Sequence, residues 1–83
     1  MNMITPRVVV VKALENKHIY IEFKDGKKKI YDMNALIKNN KYYEKLKDEE
    51  YFKLVEPRGV SVEWPNGEDV CPENLYYDSV DFE

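Results

Sequence analysis

The sequence predicts a single small α+β domain of antiparallel β-hairpins packed with two or three short helices. Three observations predict it. Ile19-x-Ile21-x-Phe23 before Asp25-Gly26, and Val60-x-Val62-x-Trp64 before Pro65-Asn66-Gly67, alternate apolar and polar residues up to a turn, as strands with one buried face do. Between them, residues 34–54 hold apolar residues at short helical spacings behind Asn and Asp capping candidates. At 83 residues, with 43% hydrophobic and 35% charged side chains, the chain suits one globular domain with one small core.

The elements follow in order. Four consecutive β-branched residues, Val8 to Val11, disfavour helix and suit a strand. Both of its faces are apolar, so it must be covered by helices or another sheet, or be offered to a second subunit. Glu15-Asn16-Lys17 is a turn. The next strand places Ile19, Ile21 and Phe23 on one face and His18, Tyr20 and Glu22 on the other. Asp25-Gly26 is a hairpin signal, and Lys27 to Met33 is the return strand. A two-residue loop pairs Ile21 with Ile30, Tyr20 with Tyr31 and Glu22 with Lys29. A longer bulged loop slips the register and turns Tyr31 inward. Asp32 or Asn34 can cap a helix through Ala35, Leu36 and Ile37. A linking turn or short helix with Tyr42, Tyr43 and Leu46 follows, and then a helix capped by Asp48 and anchored by Tyr51, Phe52 and Leu54.

Glu56-Pro57-Arg58-Gly59 reads as a turn. Val60, Val62 and Trp64 then share a strand face. Pro65-Asn66-Gly67 reads as a three-residue hairpin loop pairing Trp64 with Glu68, Glu63 with Asp69 and Val62 with Val70. Pro72 suits the first position of a terminal helix with Cys71 as its cap residue. Residues 1–83 form one domain, with 77–83 as a frayed acidic tail.

Composition excludes several classes of function. No apolar run reaches the ~18 residues of a membrane helix. Met1 to Pro6 lacks a basic stretch followed by an apolar one, so a cytoplasmic protein is expected. One Cys and one His exclude an internal disulfide and leave almost no ligands for zinc, so neither metal nor cofactor is expected. The net charge of −3 hides an asymmetry: residues 24–53 hold nine Lys against six acids, whereas residues 63–83 hold seven acids and no base.

The order of these residues resembles a small bacterial family known as domain of unknown function 2442. The resemblance is carried by Ile19-x-Ile21-x-Phe23-x-Asp25-Gly26, Tyr31-Asp32-Met33, Leu36, Leu46-x-Asp48, Phe52, Trp64-Pro65-Asn66-Gly67-x-Asp69-Val70 and Pro72-Glu73-x-Leu75-Tyr76, over about Arg7 to Tyr76. The Trp-Pro-Asn-Gly-x-Asp block is its specific part. The resemblance implies a compact α+β fold without an assigned enzyme activity, found alone or beside a DNA-binding helix-turn-helix, with some members similar to partners in toxin–antitoxin pairs. This chain has no room for a helix-turn-helix. Its four-valine strand and lysine-rich hairpin depart from the pattern.

Glu63 and Asp69 are the first candidate site. Opposed carboxylates repel unless a cation, a proton or a partner's Arg offsets them. With Glu68 and Glu73 nearby, they form either an acidic surface for a basic partner or a weak site for a hard cation. The alternative is that Asp69 bonds turn backbone. Trp64 either faces a partner or fills the core with Val60 and Val62. Lys27-Lys28-Lys29, with Lys24, Tyr20 and Tyr31, has the residue types for nucleic acid. Adjacent strand residues point to opposite faces, however, and a lysine-rich edge also blocks aggregation, so nucleic acid is disfavoured. Neither His18 nor Cys71 has a nucleophile–base partner, and no catalytic residue is expected.

The expected function is therefore a non-enzymatic protein-interaction module, antitoxin-like in one form. It would bind a basic partner through Glu63, Glu68, Asp69 and Glu73, with self-association through Val8–Val11 as a further expectation. The alternative is a small-ligand domain with a pocket between sheet and helices lined by Tyr31, Tyr43 and Trp64.

Overall fold

A computed structural model describes residues 5–82. The reading of Met1 to Pro6 therefore falls largely outside the described residues, as does Glu83 of the acidic tail. The chain order is β1 (Val8–Ala13), a 3-10 turn (Glu15–Lys17), β2 (His18–Phe23), β3 (Lys28–Asp32), α1 (Asn34–Asn39), a 3-10 helix (Lys41–Lys47) and α2 (Glu49–Phe52). It ends with β4 (Glu56–Arg58), β5 (Ser61–Glu63), α3 (Pro72–Tyr77) and β6 (Val80–Asp81). One antiparallel sheet has the order β1-β2-β3-β6, and β4 pairs with β5 in a second. The α+β class is as the sequence predicts.

The first hairpin takes the longer loop. Phe23 N–H donates to Lys27 O (2.9 Å), so Lys24-Asp25-Gly26 forms the turn, with Gly26 at φ 93° and the Asp25 carboxylate accepting from Lys27 N–H (3.0 Å). The observed pairs are Ile19–Tyr31, Tyr20–Ile30, Ile21–Lys29 and Glu22–Lys28, one residue away from the two-residue-loop register. This slip turns Tyr31 and Met33 into the core and leaves Ile30 and Asp32 outside. The physical reason is the carboxylate: the other register would carry Asp32 inward, and burying an unpaired charge costs several kcal/mol or more.

Caps form as the sequence predicts for two helices. Asp48 accepts from Glu50 N–H (3.0 Å) at α2, and Asp32 accepts from Asn34 N–H (2.8 Å) at the start of α1. Cys71 is the residue before α3, with Pro72 in its first turn.

Four expectations are corrected. Glu56–Arg58 is a strand rather than a turn; it is wholly exposed and exists through its pairing with β5. Val60 sits at the bend between β4 and β5 and is 47% exposed, outside the face shared by Val62 and Trp64. The tail does not fray at its start, because Val80 and Asp81 pair with Ile30 and Lys29. Finally, a bulge between Val8 and Val10 buries Val8 but leaves Val9 and Val10 exposed, so the valine strand is covered on one side only.

The core lies between the inner face of the four-stranded sheet and the helical segments. It contains Val8, Ile19, Ile21, Phe23, Tyr31, Met33, Ile37, Tyr43, Leu46, Phe52, Val55, Val62, Trp64, Val70 and Leu75.

Candidate functional site

The acidic hairpin forms in the predicted register. Trp64 N–H donates to Glu68 O (2.9 Å), Gly67 N–H donates to Trp64 O (2.8 Å), and Glu63 bridges Asp69. Gly67 takes φ 99°, which an L side chain adopts only with strain. Trp64 is in the core: it is 1% exposed, its ring lies 5.7 Å from that of Phe52, and its indole N–H donates to Phe52 O at 2.9 Å.

The four acidic candidates separate. The Glu63 carboxylate accepts from Arg58 at 2.9 Å across the β4–β5 pair. Glu68 is buried and accepts from the Tyr51 hydroxyl at 2.7 Å. Asp69 is exposed, and its carboxylate accepts from the Tyr42 hydroxyl at 3.3 Å. Glu73 stands exposed on α3. The bridge places Glu63 and Asp69 opposite each other, but Arg58 offsets the charge of one and a phenol receives the other.

Three tyrosines hold this hairpin, and sequence reasoning missed their joint role. Tyr42 also donates to Gly67 O (3.1 Å) and Tyr43 to Asp69 O (2.8 Å), while the Tyr51 oxygen accepts from Asn66 N–H (2.8 Å). Their phenols are all held above the ordinary value. For Tyr51 the causes are removal from water and then the Glu68 bond; for Tyr42, removal from water and then the charge of Asp69; for Tyr43, removal from water and then Tyr42. The tyrosines therefore remain neutral donors at physiological pH, as a clamp on carbonyl and carboxylate oxygens requires. The available signal was an excess of Tyr in a segment preceding the hairpin, but nothing local tells a clamping Tyr from a core one.

Of the three pocket candidates, Tyr31 and Tyr43 are each 7% exposed within the core. Trp64 joins Leu54, Glu56, Pro57, Arg58, Glu63 and Pro65 around a surface depression of about 280 Å³. Neither of the two tyrosines lines it.

The lysine-rich hairpin is divided. Lys28 lies on the outer sheet face, while Lys29 points inward, its amine 3.1 Å from Asp81 and 5.6 Å from the centre of the Tyr76 ring. His18 Nδ1 lies 2.8 Å from Asn16 O and its Nε2 3.7 Å from Asp32. Cys71 is exposed. Among the described residues, no group of three or more His, Cys, Asp or Glu side chains converges as metal ligands. Nor is any helix among them long and apolar enough to cross a membrane.

The remaining feature is the outer face of the large sheet. Strand pairing sets two rows across four strands: Lys12–Tyr20–Ile30–Val80, and Val10–Glu22–Lys28 continued by Phe82, whose N–H donates to Lys28 O at 2.9 Å. Val10, Tyr20, Ile30, Val80 and Phe82 thus share one face. The Tyr20 and Phe82 rings meet edge to face at 5.2 Å. Two signals for this face were in the sequence: the polar positions of His18–Phe23, and the alternation of Val80 and Phe82. Ile30 could be placed there only once the loop length was known.

Fold and geometry together define a small α+β domain with a tyrosine-clamped acidic hairpin and an open sheet face. A family model described as protein of unknown function (DUF2442) matches residues 8–81. The chain belongs to that family. Comparison with curated proteins and with solved structures finds no match.

Proposed function

We propose that the chain is a non-enzymatic protein-interaction module that receives a basic partner on its acidic C-terminal segment. One observation carries this reading. Residues 63–83 hold seven acids and no base, and among the described residues no cation pairs with the exposed Asp69, Glu73 or Asp78. Glu68 and Glu63 serve the hairpin itself through Tyr51 and Arg58. The contact surface accordingly narrows from the four acids expected at first to Asp69 and Glu73, joined by Asp78. The antitoxin-like role that the resemblance implies is the case in which the basic partner is a toxin.

The test is an affinity pull-down of tagged chain from nuclease-treated source cells, with a Glu73→Lys/Asp78→Lys variant as the second bait. The expected result is a basic protein held by the wild type, lost by the variant and released by added salt, because exposed charge pairs are screened within ~8 Å at physiological ionic strength. Identical proteins on both baits would overturn the reading. The small-ligand alternative has the depression beside Trp64 in its favour. It predicts a compound that raises the melting temperature with little dependence on salt.

A further inference from the structure

We infer that the outer face of the four-stranded sheet is the interface of a homodimer, so that its occupant is a second copy of this chain. The inference is independent of the acidic-segment reading. It starts from exposure: Val10 is 37% exposed, Val80 64% and Phe82 53%, and Ile30 and Tyr20 lie between them in the same two rows. Among the described residues, every helix packs elsewhere or stands clear of this face, and Ile30 is absent from the core. An antiparallel sheet is expected to solvate its uncovered face with polar residues, whereas this one presents a continuous aromatic and aliphatic patch.

Charge selects the occupant. The polar residues around the patch are Lys12, Lys28, Glu22, Asp32 and His18. Two Lys against two acids leave the face neutral with His18 uncharged. A two-fold interface must be self-complementary, since each patch meets its own copy. A one-signed face would repel its copy, and a neutral face of mixed sign does not. A strongly basic partner, by contrast, finds its complement on the acidic C-terminal segment.

Size sets the strength. Four strands ~4.8 Å apart and about six residues at ~3.3 Å give roughly 400 Å² of flat area. Two copies therefore bury about 800–1,000 Å², which lies at the lower edge of specific interfaces and points to a micromolar dimer.

Sedimentation equilibrium from about 5 to 500 μM spans that range. It is run with reductant, so that the exposed Cys71 cannot cross-link copies. The wild-type mass should rise from 9.9 kDa toward twice that value. Ile30→Lys should weaken association at least ~10-fold, because it places a charge at the centre of the patch. Should Ile30→Lys fail to fold, Val80→Lys makes the same test at a 64% exposed position of the edge strand. A wild type that stays at monomer mass throughout, or a dimer that survives the folded variants unchanged, would overturn the inference. Neither outcome touches the Glu73/Asp78 comparison.

Discussion

The two faces of the four-stranded sheet are built from the same three central strands and differ in what meets them. The inner face holds Val8, Ile19, Ile21, Phe23 and Tyr31, each 7% exposed or less, under the helical segments and the second hairpin. The outer face carries apolar residues of similar type, yet Val10, Val80 and Phe82 remain 37–64% exposed. Apolar side chains alone do not make a core. Burial requires a second layer, and this chain supplies one layer only. The domain is thereby stabilised from one side and free to associate on the other.

The most direct way to break this comparison uses two isoleucines of the same sheet. Ile21 is fully buried and Ile30 half-buried on the opposite face. Ile21→Ala should cost about 2–5 kcal/mol, transfer and cavity terms together. Ile30→Ala should cost about 1 kcal/mol in dilute, monomeric protein. Urea unfolding at low concentration checks both, and equal losses would mean that the outer face is packed after all.

Lys29 sharpens the comparison, because it is the basic residue on the inner side. Its side chain is 12% exposed, and its stem passes the Tyr76 ring to reach Asp81. Lys29→Ala should cost about 1 kcal/mol, chiefly through lost packing of the stem. Lys29→Met should recover most of that, since an ion pair with an exposed partner contributes only ~0–1 kcal/mol. Thermal unfolding of the two variants separates packing from charge.

The smallest effect lies at the hairpin tip, where the Tyr76 hydroxyl donates to the Asp25 carboxylate at 2.7 Å. That bond, with the backbone bond from Lys27, holds Asp25 below 3.8, and it is the leading cause that pushes Tyr76 up to about 12. The signs are opposite at the two ends of the pH scale. Asp25 with a lowered pKa contributes stability above 3.8 that is lost as pH falls through its folded value. Tyr76 with a raised pKa contributes stability below 10.0 that is lost as pH rises toward about 12. The advantage of wild type over Tyr76→Phe should therefore be flat between those limits and shrink beyond each. Carboxyl NMR should show Asp25 returning toward 3.8 in the variant.

Legibility in the sequence followed the range of the forces involved. The register of the second hairpin was readable because Pro65-Asn66-Gly67 suits one loop type, and the observed Trp64–Glu68 bond obeys it. Asp25-Gly26 fits loops of two lengths, so the first register was not. β4 was read as a turn because Glu56-Pro57-Arg58 has no apolar alternation, and it becomes a strand only beside β5. The pairing of Val80–Asp81 was hidden in an acidic tail for the same reason. Of the candidate site, the opposition of Glu63 and Asp69 was legible. The burial of Glu68 was not, because its donor, Tyr51, lies 17 residues away.

By itself, the sequence determined the α+β class, the helix caps at Asp32 and Asp48, the second loop and the place of Trp64 in the core. These depend on periodicity, turn chemistry and hydrophobicity, which act over a few residues. Only the tertiary structure decided that Tyr31 faces inward and Ile30 outward, that three tyrosines clamp the acidic hairpin, and that one sheet face stands open. Each of these depends on which distant segment supplies a partner or excludes water, and no local pattern carries that information.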